Sequence, residues 1–400
     1  MNTKHLIAVI LTVVFLVILQ TIIFSQETAP VSSEKKDTEE TAKEADKHWE
    51  KAVSFVKQKE YEEAGVQCEK VLSIDPAHKE AKELLTKLRI LLYQKIHEFG
   101  TPSELYMSAA SVNSSYLAVN EGMNYNVAIT VWDVGNGKIF SKIPVKQEEN
   151  YTIVSVSTDG NYIAWRTSAS NGDSVTIWDT KKKQEVRDRF LNKQFLNSIC
   201  FTNENGKIVL GLFDGIIVYD FINDKFVKIV ERKDIKTVCL SGDNTKLAIY
   251  TKFNSIWIAD FPSFTGFRKI GKNTNPAWYS ISLSYRGGFI VTDGSSSVEV
   301  FETKIGGEHW GIAVKENGRV TFSPDGSVIA IADSEGLQFW DIKKRKQFHK
   351  IAVKKEDDFL GQPWFIMDGK YLSVGNGGRK ILVYGALGKK EPAIEDVLLR

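Results

Sequence analysis

Cysteine is scarce in this sequence of 400 residues, which contains only Cys68, Cys200 and Cys239. An odd and sparse set of cysteines does not provide the framework of paired disulfides that holds small secreted domains together. Cys200 and Cys239 occupy matching positions in neighbouring segments, where we expect them to be small, buried, apolar side chains.

An excess of charge of one sign is also missing, since 52 Lys and Arg residues nearly balance 50 Asp and Glu residues. Nucleic-acid binding usually requires a concentrated basic face, and the sequence shows none. The basic run Lys343–Lys346 falls where a hairpin turn is expected, which is typical of a solvated surface. We therefore expect no nucleic-acid partner.

Motifs for catalysis and metal binding are missing too. None of the six histidines pairs with another at metal-ligand spacing, and no Gly-x-Ser-x-Gly motif is present. The segment Gly266–Asn273 is close to a phosphate-binding loop, but Asn273 stands where Ser or Thr would hold magnesium, and no helix is expected to follow. The sequence predicts no catalytic residue, no metal and no cofactor.

A hydrophobic segment occupies the N-terminus. Lys4 precedes an apolar stretch from Leu6 to Phe24. This stretch exceeds the core of a signal peptide, about 7–15 residues, and approaches the roughly 20 residues of a membrane-spanning helix. Residues 1–25 are therefore either a signal peptide cleaved after Ser25 or a membrane anchor. Lys4 keeps the short N-terminal end in the cytoplasm, so in both cases the rest of the chain is expected outside it, on the periplasmic or cell-surface side.

Two short segments follow. Residues 26–44 are polar and charged, which predicts a flexible linker. Residues 45–100 show helical spacing and resemble a single tetratricopeptide unit, with Pro76 at the closing position. The packing positions of that unit are occupied by Ala52, Phe55, Tyr61, Ala64 and Leu72. We expect a third helix from His78 to about His97. Because such repeats need about three units for a stable core, the hairpin should pack on a propeller, a second copy or a partner.

From about Thr101 a longer repeat appears, with steps of 39 to 46 residues. A polar turn rich in Asp, Asn and Gly precedes the second strand of each repeat, as tight hairpins require. Each repeat also has a strand that ends in an aromatic–acidic pair or a variant of it: Trp132-Asp133, Trp178-Asp179, Tyr219-Asp220, Ala259-Asp260, Phe301-Glu302, Trp340-Asp341 and Tyr384-Gly385.

These strand ends and this period resemble the WD-repeat family over residues 101–400. The resemblance implies a mainly β protein, a seven-bladed β-propeller that follows an N-terminal helical hairpin and a hydrophobic helix. The family's Gly-His dipeptide is missing, and its tight-turn aspartate appears clearly only at Asp173 and Asp214. The last blade lacks an obvious outer strand. Either Ala393–Leu399 or the segment before Thr101 supplies it, and the sequence favours the C-terminal tail.

Large aromatic residues come just before several first strands, a position expected at the loop-bearing rim: Tyr106, Tyr151, Phe195, Trp278 and Trp364. Clustered exposed aromatics anchor protein interfaces, although these side chains could instead fill gaps between blades. The sequence predicts a non-catalytic scaffold of the cell envelope that binds other proteins through the rim and the hairpin groove. The hairpin is also a candidate for self-association. The alternative is a small-ligand sensor or an enzyme with its site in the propeller channel.

Overall fold

A computed structural model describes residues 31–100, 105–110, 114–121, 127–145, 154–169, 171–192, 194–204, 206–274, 276, 280–352, 361–376 and 380–386. The predicted signal peptide or anchor, residues 1–25, lies outside the described residues. Within the described part of the chain, no helix combines the length and the apolarity that crossing a membrane requires.

The described residues up to Ala81 form one compact unit, built on the helices α1 (Val31–Gln58) and α2 (Tyr61–Ile74). The two helices form a hairpin, and the His48 and Gln67 side chains hydrogen-bond across it at 2.7 Å. α2 ends before Pro76, as the sequence predicts. The predicted flexible linker differs from the structure, because its residues from Val31 onward belong to α1. Their many Glu, Lys and Ala residues are good helix formers.

The second unit begins at Lys82 and holds most of the helix α3 (Lys79–Leu91), the strand β1 (Tyr93–Gly100) and seven blades, each a four-stranded antiparallel sheet. Blades 1 and 2 comprise β2 (Leu105–Ala110), β3 (Tyr116–Glu121), β4 (Val127–Asp133) and β5 (Lys138–Val145), then β6 (Val154–Val156), β7 (Tyr162–Ala169), β8 (Gly172–Asp179) and β9 (Gln184–Phe190). Blades 3 and 4 comprise β10 (Leu196–Phe201), β11 (Lys207–Leu212), β12 (Gly215–Asp220) and β13 (Lys225–Glu231), then β14 (Ile235–Leu240), β15 (Lys246–Thr251), β16 (Ser255–Asp260) and β17 (Arg268–Lys272).

Blades 5 and 6 comprise β18 (Ile281–Leu283), β19 (Phe289–Thr292), β20 (Ser297–Glu302) and β21 (His309–Ala313), then β22 (Arg319–Phe322), β23 (Val328–Asp333), β24 (Gly336–Asp341) and β25 (Lys346–Ala352). Blade 7 comprises β26 (Trp364–Ile366), β27 (Tyr371–Asn376) and β28 (Lys380–Ala386), together with β1. The predicted seven-bladed propeller is confirmed. The predicted hairpin turns adopt the positive φ expected of them at Gly160, Gly206, Asn244, Gly287, Gly326 and Gly369.

Strand β1 supplies the fourth strand of blade 7. It pairs with β28 in antiparallel register from Tyr93 opposite Ala386 to Gly100 opposite Lys380. Its pairing shifts opposite Tyr384, as the fourth-strand pairings of other blades shift at the matching Trp132, Trp178 and Tyr219.

Two expectations about this segment are therefore wrong. The preferred closing segment was the tail Ala393–Leu399, which lies outside the described residues, whereas the chain before Thr101 closes the ring. The third helix was expected to reach His97, but it ends at Leu91 and the strand begins at Tyr93. The sequence contains no helix breaker after Leu91, so the helical pattern continues into the residues of the strand. In the strand itself only Tyr93 and Phe99 are buried, and these two positions are too far apart to reveal the alternation of a β-strand.

The core of this unit is divided among the interfaces between blades. Seven clusters of buried apolar side chains occur in the described residues, and each lies between two neighbouring blades. The cluster between blades 7 and 1 contains Phe99 of β1, whose ring stacks on Trp132 with centroids 4.2 Å apart. Ring closure therefore depends on apolar packing as well as on strand pairing.

α3 holds the chain in place before β1. Ile90 and Tyr93 join the apolar cluster between blades 6 and 7. The Lys87 ammonium pairs with Asp341 at 2.7 Å, and the Tyr93 hydroxyl donates to the carbonyl of Gly369. These contacts fix the direction in which β1 enters blade 7.

We predict that Phe99→Ala lowers the free energy of unfolding by about 3–5 kcal/mol, because it leaves a cavity where the ring closes. Gln94→Ala is the control, since Gln94 is exposed on the same strand, and its effect should stay within about 0.5 kcal/mol. Urea unfolding followed by circular dichroism measures both changes. Equal unfolding midpoints for the two variants would contradict a closing role for Phe99.

Candidate functional site

The loops of the propeller divide between two faces, because every blade is antiparallel. The loops before the first strand and between the second and third strands lie at one end, the loop face. The turns after the first and third strands lie at the other end, the turn face. Within the second unit, Lys87 of α3 contacts Asp341, and Tyr93 at the start of β1 contacts Gly369. Asp341 and Gly369 both lie at the turn face.

The predicted rim aromatics do not share one position. Phe195 does precede β10 and is exposed, as predicted. Tyr106 lies within β2, at an irregularity between Leu105 and Met107. Trp364 is the first residue of β26 and pairs with Ser373. Tyr151 and Trp278 lie outside the described residues.

Trp364 corresponds by strand register to Cys200 of β10 and Ser282 of β18. The Cys200 thiol donates to the carbonyl of Val238 at 3.2 Å, and the Ser282 hydroxyl accepts from the N–H of Phe322 at 3.3 Å. Both contacts join the first strands of neighbouring blades. Trp364 is half-buried at this position, which favours the gap-filling alternative for this residue.

The loop face of blades 3 and 4 carries three exposed phenylalanines. Phe195 precedes β10, Phe213 lies in the turn between β11 and β12, and Phe253 lies in the turn between β15 and β16. Their exposed fractions are 53%, 44% and 62%. The N–H of Phe213 donates to the carbonyl of Phe195 at 3.3 Å. The Lys252 ammonium lies 5.3 Å from the Phe213 ring centroid and 4.9 Å from that of Phe253. Phe195, Phe213, Lys252 and Phe253 are the aromatic strip.

The strip is held in place by charge. The Lys252 ammonium pairs with the Asp234 carboxylate. The backbone N–H of Lys252 also donates to the backbone carbonyl of Asp234 at 2.8 Å. Each ring contributes a cation–π attraction of about 0.5–1 kcal/mol at such an exposed site. These contacts partly order the side chains of the strip.

Arg232 supports the same loops from the outer side. Its guanidinium lies over the Trp257 ring, 4.1 Å from the ring centroid. The backbone N–H of Arg232 donates to the backbone carbonyl of Asp214 at 3.1 Å. Burial against the aromatic ring lowers the pKa of Arg232 below its ordinary value. The turn that bears Phe213 is thus tied to the next blade.

Phe213 and Phe253 were not among the predicted rim residues, although the sequence around each contains a signal. Each occupies a tight turn beside polar turn formers, in Leu-Phe-Asp-Gly and Lys-Phe-Asn-Ser. A large aromatic in such a turn cannot bury itself in its own blade. The turns between the second and third strands lie on the same face as the residues before the first strands, so both positions can carry rim residues.

The buried Glu299 carboxylate is the centre of a small polar cluster. No cluster of three or more His, Cys, Asp or Glu that could hold a metal occurs among the residues that the structure describes. Buried Glu299 accepts hydrogen bonds from His309 and, at 3.2 Å each, from the hydroxyls of Thr274 and Ser297. The imidazole of His309 and the two hydroxyls each bond to the Glu299 carboxylate, and these bonds do not join the imidazole to either hydroxyl. A nucleophile would need the base at that position.

The thiols of Cys200 in β10 and Cys239 in β14 are poorly reactive. Burial raises the pKa of the Cys200 thiol to about 12 and that of the Cys239 thiol well above its ordinary value. Thiols with raised pKa remain protonated at neutral pH and are poor nucleophiles.

The tight-turn aspartates differ from each other. Asp173 is buried, and its carboxylate accepts from the N–H of Leu196 at 2.7 Å, which joins blade 2 to blade 3. Asp214 is exposed at the corresponding turn of blade 3.

We predict that Asp173→Ala lowers the free energy of unfolding by about 1–3 kcal/mol, because the buried N–H of Leu196 loses its acceptor. Asp214→Ala makes the same change at the exposed site and should cost less than about 0.5 kcal/mol. Thermal and urea unfolding of the two variants measure the difference. An equal loss at both sites would show that the Asp173 bond has no special structural role.

No protein-family model matches the chain. The chain is similar to Pre-mRNA-processing factor 19 of Oryza sativa subsp. japonica, with 23% identity over 159 residues. The similar region covers 37% of this chain and 29% of the rice protein, so the chain spans less than a third of that relative's length. At this level of identity, the architecture rests on the observed strand pairing, which shows a seven-bladed β-propeller.

Proposed function

We propose that the protein is a non-catalytic scaffold whose propeller binds partner proteins through the aromatic strip. The observation that carries this proposal is the exposure of three phenylalanines side by side on the loop face of blades 3 and 4. β-Propellers generally mediate protein–protein interaction. Aromatic side chains in a central patch commonly supply most of the binding energy of a protein interface.

The strength of such an interface can be bounded. Complete burial of a large apolar side chain contributes roughly 1.5–3 kcal/mol, so the three rings together provide less than about 9 kcal/mol. Association costs an estimated 4–15 kcal/mol in lost freedom of motion. The aromatic strip is therefore the anchor of a larger contact, and the partner must also touch the surrounding loops.

An active site in the channel is the alternative function, because propellers also support enzymes. The aromatic strip gives it no support: its single ammonium, that of Lys252, is engaged by Asp234 and lies against two apolar rings. We therefore place binding, not catalysis, at the loop face.

We predict that replacing Phe195, Phe213 and Phe253 together by alanine removes partner binding and leaves the fold intact, because all three rings are exposed. The matched control is the double change Tyr285→Ala and Ile305→Ala, which removes exposed apolar side chains from turns on the turn face. Affinity capture of the full-length protein from its own cells, quantified by mass spectrometry, gives the readout.

Partners that are lost with the triple variant and retained with the control support the proposal. The same partners in equal amounts with all three proteins would contradict it. Circular dichroism and unfolding midpoints of the variants show whether a loss of binding reflects a loss of fold.

The location we propose is the cell envelope, outside the cytoplasm, with the N-terminal segment as anchor or cleaved signal. The support is the apolar stretch from Leu6 to Phe24 after Lys4. We also propose that the hairpin of α1 and α2 acts as a tetratricopeptide-like unit, whose groove takes a short peptide or a second copy. A full-length protein that sediments as a monomer at all concentrations would contradict self-association.

We predict that protease added to intact cells cleaves the propeller, and that a variant lacking residues 1–25 stays protected inside. The apolar segment provides the only export signal that the sequence suggests. A cytoplasmic protein of the same cells serves as the control for lysis. Protection of the full-length chain in intact cells, with cleavage after lysis, would refute the envelope location.

A further inference from the structure

Exposed apolar side chains also occur at the outer edge of blade 3, away from the aromatic strip. Its fourth strand, β13, exposes Val227 and Ile229 by 49% and 60%. Among the fourth strands in the described part of the chain, β13 alone exposes two large apolar residues. Ile139 on β5 and Phe190 on β9 are single cases. Blade 3 thus has apolar surface on its rim and on its outer edge.

The outer edge of β13 has open hydrogen-bonding groups. The strand order of the blade is β10-β11-β12-β13, so β13 pairs with β12 on one side and with no strand of the described residues on the other. An edge of this kind presents unpaired N–H and C=O groups to an added strand. The register is regular from Lys228 opposite Val218 to Glu231 opposite Gly215, beyond the bulge at Val227. A regular edge next to exposed Ile229 is suited to strand addition.

Charge indicates what kind of strand fits. Lys225 and Lys228 are exposed beside Val227 and Ile229 on the same strand. Lysines on an edge strand discourage pairing between identical copies, because like charges would meet. The same lysines attract a strand that carries carboxylates.

We propose that β13 accepts an extended segment of a partner protein as a fifth strand of blade 3, with apolar residues alternating with acidic ones. Backbone hydrogen bonds to the open edge provide the affinity, as in other cases of strand addition. The apolar side chains of the segment cover Val227 and Ile229, and its carboxylates face Lys225 and Lys228. This surface is separate from the aromatic strip, so the proposal does not depend on the function proposed for the strip.

The test uses the full-length protein and a fluorescent nine-residue peptide of alternating valine and glutamate, with binding measured by fluorescence anisotropy. A second peptide has the same sequence with every other backbone nitrogen methylated, which removes hydrogen bonds to the edge. A third has lysine in place of glutamate. We expect the first peptide to bind, and the second and third to bind at least about tenfold more weakly.

Two variants locate the site. Ile229→Ser should weaken binding of the first peptide about tenfold, because it removes a buried apolar contact without changing the charge. Ile139→Ser makes the same change on the edge of blade 1 and should leave binding unchanged. The triple alanine variant of the aromatic strip should also bind the peptide normally, which separates the two surfaces.

Three results would overturn the proposal. These are equal binding of the methylated peptide, equal effects of Ile229→Ser and Ile139→Ser, and no binding of the first peptide up to about 1 mM, the range of a weak contact.

Discussion

The antiparallel pairing of β1 with β28, sealed by Phe99 on Trp132, is the constraint on which the propeller depends. Every blade buries both faces against its neighbours, so an open ring would leave two apolar faces in water at once. The closing strand comes from the N-terminal side of blade 1, whereas its three partner strands come from the C-terminal end. Closure therefore joins the two ends of the unit. The seam between blades 7 and 1 is therefore held by backbone pairing and by apolar packing together.

The blades were predictable because the same four-stranded unit occurs seven times, so its sequence signals repeat along the chain. Each repeat needs a turn that tolerates positive φ and a third strand that ends in a buried or half-buried aromatic or apolar residue, and both signals recur in one register. Strand β1 was not predictable in the same way. Tyr93–Gly100 follows a helix without a turn signal, and its partner lies some 280 residues away in sequence. Nothing local in that segment shows which strand it must join. Residues 31–44 were misjudged for a related reason, because a polar composition does not separate a solvated helix from a flexible chain.

The candidate site was only partly predictable. Phe195 was identified from its place before a first strand, and it does belong to the aromatic strip. The other members come from turns of two blades, and what makes them a site is a set of contacts across blades: Phe213 with Phe195, and Lys252 with both Phe213 and Phe253. A single repeat does not contain that information. Trp364 shows the converse, since it is the first residue of β26 and matches by register two positions that contact the neighbouring blade, Cys200 and Ser282.

The order of the strands also has a consequence for synthesis. β1 is made before any blade, and its partner β28 follows about 280 residues later. At roughly 5–20 residues per second, the first strand waits on the order of 15–60 s before its partner exists. During that time Tyr93 and Phe99 have no blade 7 to cover them. Truncation near the C-terminus would therefore affect the beginning of the fold as strongly as its end.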